Sequence, residues 1–321
     1  MSRVVLVTGA SGFVGQAVCR KLAERSDFAV RGAVRGQYAA NAAHCVRVGD
    51  LGAETDWSEA LDAVDSVIHT AARVHILDDS AADPLAEFRR VNVEGTLALA
   101  RQCVNRGVRR FVYLSSIKVN GEETARGKPY LFDDAPNPLD AYGISKLEAE
   151  EGLQQIAADH GLELVIIRPP LVYGPGVRAN FRAMMAAIYR RLPLPLGRVI
   201  GNRRSLVSLE NLSDLIMTCV DHSGAPGRVF LASDGEDLST AALLRRLGDA
   251  MGRSAILLPV PPKMLELAAA AIGRRAIARR LLGSLQVDVG ATRKALDWTP
   301  PFSVDEGLEL AARHFVQEQS R

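Results

Sequence analysis

The sequence predicts an α/β protein with a doubly wound parallel sheet and a smaller, mostly helical C-terminal domain. Three features predict it. An apolar, β-branched run, Val4-Val5-Leu6-Val7, enters a Gly-rich turn and then a helical pattern. Strand and helix patterns alternate from there to Arg168, as a parallel sheet with crossover helices requires. Past Leu171-Val172-Tyr173-Gly174-Pro175-Gly176 the alternation weakens and helical patterns dominate.

The turn Gly9-Ala10-Ser11-Gly12-Phe13-Val14-Gly15 has the spacing G-x-x-G-x-x-G. A strand–turn–helix of this kind points backbone N–H groups and a helix N-terminus at one spot, which favours a pyrophosphate. Gly9 permits the tight turn, Gly12 lets phosphates approach, and Gly15 lets the helix lie on the strand. A Gly-rich turn is weak by itself. Its place after the first strand of a βαβ series makes it a dinucleotide site, in a Rossmann-type fold. The helix covers Phe13 to Arg25.

The second strand, Ala29 to Arg35, ends without an acid for a ribose 2′-hydroxyl. Arg35 suits a 2′-phosphate instead, or is a solvated arginine; NADP is favoured over NAD on this residue. Cys45 to Gly49 is a third strand. Asp50 after it can accept from an adenine amino group or cap a turn. Ser66 to Thr70 is a fourth strand, running into the small residues Ala71 and Ala72. His69 reads as a packed strand-end histidine without a chemical role.

Pro84 to Arg106 reads as one long amphipathic helix opened by Asp83-Pro84. Asn92 and Gly95 lower its propensity, which suggests that something uses them. Arg110 to Ser115 is the fifth strand and leads into Ser116, at the crevice end of a parallel strand. After a loop over 121–140, a helix from Ala141 to His160 starts Ala141-Tyr142-Gly143-Ile144-Ser145-Lys146. Tyr142 and Lys146, four apart, share a helix face. An ammonium beside a phenol favours the phenolate, which makes a general acid/base for an alcohol or ketone. Alone this spacing is commonplace; Ser116 and the phosphate turn give it meaning.

Glu163 to Arg168 is the sixth strand, stopped by Pro169-Pro170. Asn180 to Arg191 and Leu209 to His222 are helices, 203–208 is extended, and Arg228 to Ala232 is a strand. From Ser239 onward the chain is mostly helical, with a capping box at Ser303-Val304-Asp305-Glu306. The reading is a dinucleotide domain over 1–170, to which part of 204–235 returns, and a substrate domain over 171–321. Pro262 to Leu282 is apolar and basic. It reads as a helical subdomain with a solvated basic face rather than a membrane-surface segment.

Composition bounds the rest. With 321 residues, 48% hydrophobic, the chain can bury a proper core. A net charge of +2 gives no basic field for nucleic acid. Four scattered cysteines form neither a metal site nor a disulfide frame, and a reducing compartment is expected. There is no signal-peptide pattern and no apolar run long enough for a transmembrane segment. The protein is expected to be cytoplasmic.

Together these motifs resemble the extended short-chain dehydrogenase/reductases, in the branch of nucleotide-sugar epimerases, dehydratases and 4-ketosugar reductases. Thr8-Gly9-x-x-Gly12-x-x-Gly15 is similar to the family's cofactor turn. Ser116, Tyr142 and Lys146 resemble its catalytic set, supported by Asn92. Arg168-Pro169 through Gly176 resembles its substrate-side segment, Arg204-Ser205-Leu206-Val207 its diphosphate segment, and Lys294-Ala295-Leu296-Asp297-Trp298-Thr299-Pro300 its closing signature. The resemblance implies cofactor contacts at Gly9, Ser11, Gly12, Phe13, Val14, Gly15, Arg35, Asp50, Leu51, Ala71, Ala72, Tyr142, Lys146 and Pro169. It implies substrate contacts at Arg73, Ser116, Lys118, Asn180 and Arg204, and no metal. Tyr142 would exchange a proton with the C4 oxygen of a UDP-sugar, Ser116 would hydrogen-bond that oxygen, and Lys146 would hold the cofactor ribose. A homodimer through helices 84–106 and 141–160 is expected from the same resemblance.

Four departures qualify it. The acid usually following the diphosphate arginine is Ser205, a later histidine is Ser208, a common hydroxyl is Lys118, and the ribose acid is missing. The first expectation is therefore NADPH-dependent reduction of a UDP-4-keto-6-deoxy-N-acetylhexosamine for an O-antigen-type surface polysaccharide. The second is a UDP-hexose or UDP-N-acetylhexosamine 4-epimerase using bound NAD. A 4,6-dehydratase lacks its acid pair, which here is Ile117-Lys118. A non-catalytic cofactor-binding regulator would have no use for the Ser116, Tyr142 and Lys146 set.

Overall fold

The computed structural model describes residues 2–36, 44–74 and 83–320. Strands β1 (Arg3–Thr8), β2 (Phe28–Val34), β3 (His44–Arg47), β4 (Val64–His69), β5 (Arg110–Leu114) and β6 (Glu163–Arg168) pair in parallel. Two short strands, β7 (Leu171–Tyr173) and β8 (Leu206–Ser208), form a separate parallel pair. The chain then returns as β9 (Arg228–Leu231) beside β6, so the main sheet has seven strands in the order β3-β2-β1-β4-β5-β6-β9. The strand order reverses between β1 and β4. That switch point opens a crevice at the carboxyl ends of the strands, where ligands of open α/β sheets bind.

The period of two places the core on both faces. Val5 and Val7 of β1 pack with Val18 and Leu22 of α1 (Phe13–Ala23). Leu6, between them, packs on the other face with Leu99 and Cys103. That face is covered by α3 (Gly95–Asn105) and α4 (Ala141–His160), and α2 (Pro84–Phe88) packs against α4. A third core gathers α5 (Ala179–Tyr189), α7 (Thr240–Ala250) and α11 (Val304–Gln319) around Phe181, Leu244, Leu247 and Phe315. Between these lie α6 (Leu209–Asp221), which packs on the first core, α8 (Pro262–Ala271), α9 (Arg275–Leu282) and α10 (Gly290–Leu296). The Ser303–Glu306 capping box is formed at the start of α11.

The long helix expected over 84–106 is interrupted. Arg89–Glu94 is a π-helical turn between α2 and α3, and Asn92 in it is buried. Such a widened turn redirects a side chain that a regular helix would place elsewhere. Cys19, Cys103 and Cys219 are buried free thiols, and burial pushes each thiol pKa up. Among the described residues no helix is long and apolar enough to cross a membrane.

Candidate active site

The switch-point crevice starts at Gly9, whose φ of +65° lies in the left-handed region. A Cβ there would stand 2.9 Å from the Ala71 backbone, so only glycine lets the loops after β1 and β4 meet. At Gly15 a Cβ would stand 2.1 Å from the Gly9 carbonyl oxygen, so α1 lies directly on the turn. Gly12 caps α1 without a side-chain cap, and among the described residues no side chain accepts from the backbone N–H groups of residues 13–15. Ser11 and Gly12 are exposed, with Phe13 and Val14 half-buried behind them. These unclaimed donors at a helix N-terminus fit a pyrophosphate, so the residues present suit a bound dinucleotide. On the rim, Arg35 and Asp50 lie 3.8 Å apart with side chains 80% and 85% exposed. Leu51 is buried and its carbonyl accepts from Arg90.

Asn92 joins three segments. Its Oδ1 accepts from the Arg73 backbone N–H at 2.8 Å, and its Nδ2 donates to the Arg73 carbonyl and to Ser145 Oγ, each at 3.0 Å. Ser145 Oγ donates in turn to the Tyr142 carbonyl at 2.8 Å. The π turn thus ties the loop carrying Ala71, Ala72 and Arg73 to the first turn of α4. The Arg73 guanidinium lies 5.4 Å from the Phe88 ring centre, and Phe88 meets Tyr142 edge-on.

Asp140 caps α4, its Oδ1 accepting from Gly143 N–H at 2.7 Å. Tyr142 is half-buried, and the Ser116 side chain stands beside its phenol. Burial pushes its phenol up to about 12, and the Asp140 charge adds to that while Ser116 opposes it. Ser116 is buried at the end of β5, its Oγ accepting from Lys118 N–H at 3.2 Å. Ile117 N–H is fixed by the Pro169 carbonyl.

Lys146 is buried, and burial pulls its ammonium down to about 7 while Glu150 opposes. Its Nζ donates to the Leu114 carbonyl at 2.8 Å and to Tyr113 Oη at 3.2 Å. An ammonium has three donors, so these contacts leave one for a further partner. Glu150 forms a buried pair with Arg168 at 2.5 Å and also accepts from Ser115 Oγ. Arg168 Nη1 donates to Asn120 Oδ1 at 3.0 Å.

Sequence reading missed Glu150. Its signal was available: it stands four residues beyond Lys146, on the same helix face. His69 is buried and uncharged, pulled down to about 3, with hydrogen bonds to Thr8 and Thr96.

Three expected substrate residues stand apart from this cluster or are otherwise engaged. The Lys118 ammonium, expected to meet substrate, pairs with Asp140 and lies 3.0 Å from Glu122. Arg204 is set between Leu238 and Leu285 and donates to the Gly283 carbonyl at 3.2 Å. Asn180 is exposed in the first turn of α5. Among the described residues no hydrogen bond joins Asn180 or Arg204 to Ser116 or Tyr142.

A phenol beside a seryl hydroxyl and a buried ammonium, over a crevice built for a dinucleotide, defines an extended short-chain dehydrogenase/reductase. Comparison with known proteins narrows this class. Residues 5–232 match the NAD dependent epimerase/dehydratase family, and the chain belongs to it. It is 44% identical to a UDP-glucose 4-epimerase of Vibrio cholerae, over 100% of this chain and 98% of that protein. It is 31% identical to a dihydroflavonol 4-reductase of Zea mays, over 75% of this chain and 73% of that one. Among solved structures, MoeE5 in complex with UDP-glucuronic acid and NAD superposes with a TM-score of 0.78 at 25% identity, covering 98% and 99% of the two chains.

Proposed function

We propose that this protein is a UDP-sugar 4-epimerase with NAD as its resident cofactor. What supports the reading most is the Tyr142 phenol, beside Ser116 and sharing a helix face with Lys146, in a chain alike over its whole length to a UDP-glucose 4-epimerase. This reverses the order of the two expectations drawn from the sequence. Reduction of a 4-ketosugar was placed first there, and the full-length similarity favours epimerisation. The name of the family and the NAD held by a similar structure support NAD over NADP.

In this reading Gly9 and residues 11–15 hold the pyrophosphate, while Arg35, Asp50 and Leu51 flank the adenosine. Ala71, Ala72, Lys146 and Pro169 would flank the nicotinamide riboside, and the remaining Lys146 donor would be available to it. NAD bound there supplies the acceptor, and then the donor, of a hydride at sugar C4. Tyr142, ionised at Oη, would take the proton from the C4 hydroxyl and later return it to the same oxygen. Ser116 Oγ donates to that oxygen and stabilises its developing charge. Lys146, when protonated, places a positive charge near the phenol, and Asn92 fixes the loop and helix that carry the site. Arg73, Arg204 and Asn180 hold the UDP portion, the arginines by charge-assisted hydrogen bonds. Lys118 is left out of this set because two carboxylates already take its ammonium. The protein acts as a homodimer through the face formed by residues 84–106 and 141–160. The test is interconversion of UDP-glucose with UDP-galactose, and of the two UDP-N-acetylhexosamines, without added reduced cofactor. Formation of neither epimer would remove the proposal.

One observation favours a second reading, net reduction at C4 with NADPH for surface-polysaccharide synthesis. No acid follows β2, and Arg35 stands exposed at that strand end. Arg35→Ala is expected to weaken NADPH about tenfold more than NADH, the scale of one lost charge-assisted contact. Equal losses by fluorescence titration would remove this second reading.

A further inference from the structure

Lys118 stands two residues beyond Ser116 at the centre of a chain of four charges. Its Nζ lies 3.0 Å from Glu122 Oε1 and pairs with Asp140 Oδ2. Glu122 Oε2 lies 2.9 Å from Arg279 Nη2 on α9. Glu122 is 12%, Lys118 23% and Asp140 27% exposed, so these three are largely shielded from solvent, while Arg279 is 45% exposed. Asp140 meanwhile caps α4 through its other oxygen, two residues before Tyr142.

The cap creates a conflict. A carboxylate at a helix N-terminus satisfies backbone donors and suits the helix dipole. The same carboxylate disfavours a negative phenol beside it. A cation on the second carboxylate oxygen opposes this effect while leaving the cap in place. We propose that Lys118 is a positioning residue that offsets part of the Asp140 charge, so that α4 keeps its cap with less negative charge felt at Tyr142. The inference rests on Tyr142 being the proton-transfer group. Glu122, shared with Arg279, holds the ammonium in register and carries the linkage to α9.

Other groups also face Tyr142. Lys146 lies on its own helix, with Nζ 6.0 Å from the ring centre. Ser116 and Tyr113 come from β5 and the loop after it. Arg73 approaches through Phe88, and the Glu150–Arg168 pair lies behind Lys146. Lys118 is distinguished from these by its pairing with the capping carboxylate itself.

The test places difluorotyrosine at position 142 of the full chain. Its phenol ionises near neutral pH, and its tyrosinate absorbance reads the titration without any sugar substrate. Lys118→Met is expected to move this titration about one pH unit higher. Lys118→Arg is expected to restore it. In an Asp140→Asn background, where the side chain still caps, Lys118→Met is expected to move it little or not at all. An unmoved titration in Lys118→Met, or an equal movement with and without the Asp140 charge, would overturn the proposal. A raised KM with an unmoved titration would return Lys118 to substrate binding and overturn it too. Because no sugar is needed, these outcomes stay separate from success or failure of the epimerase reading.

Discussion

Tyr142→Phe is expected to abolish turnover, by about a thousandfold or more, while leaving cofactor binding nearly intact. Proton transfer by a positioned side chain contributes about 100- to 10,000-fold. The substitution removes only the hydroxyl. The edge-on packing of the ring against Phe88 persists, and Lys146 keeps its bonds to Leu114 and Tyr113. The glycine turn is untouched. Turnover on UDP-glucose and fluorescence titration with NADH together check the result. Retained turnover would remove the proton-transfer role from this phenol.

Glu150→Ala is expected to destabilise the fold by about 3–5 kcal/mol, the usual cost of removing one partner of a buried ion pair. Arg168 is almost fully buried and would keep its charge without the carboxylate, and Ser115 would lose its acceptor. Replacing both partners, as Glu150→Leu with Arg168→Met, is expected to recover much of the loss, because no charge is then left uncompensated. Urea denaturation of the variants measures this. A loss below about 1 kcal/mol in Glu150→Ala would show that solvent reaches the pair.

Burial of Lys146 sets a pH dependence as well. Burial pulls its ammonium from 10.5 down to about 7, with Glu150 opposing. Between those two values the unfolded chain binds the proton and the folded chain does not. Stability therefore rises with pH across that window. Lys146→Met is expected to flatten this rise in thermal unfolding midpoints measured from neutral to alkaline pH. It is also expected to stabilise the fold at neutral pH by about 1–2 kcal/mol while ending turnover, since a buried active-site charge trades stability for activity. A lower midpoint at neutral pH would contradict the burial cost assigned to this ammonium.

What the sequence made legible was local. The strand–turn–helix at Gly9–Gly15 and the four-residue spacing of Tyr142 and Lys146 need only a few neighbouring residues, and both are present in the folded chain. Asn92 was legible as a misfit in a helix. Its partners were not, because Arg73 and Ser145 reach it from 19 and 53 residues away. The helix accordingly widens at Arg89–Glu94, which no propensity pattern announces. Lys118 shows the same limit. Its cation was visible and was assigned to substrate, whereas Asp140 lies 22 residues on and claims it only in the fold. The order of reductase and epimerase depends on whether a ketosugar turns within the pocket, a property that no short motif carries.

The most direct measurement is a turnover of UDP-glucose deuterated at C4, with the NAD-loaded protein, followed by NMR and cofactor absorbance. Epimerisation predicts UDP-galactose that retains the deuterium at C4, with no net change in reduced cofactor. Absence of the epimer, with one NADPH consumed for each UDP-4-keto-6-deoxy-N-acetylhexosamine reduced, would contradict the account and establish a reductase.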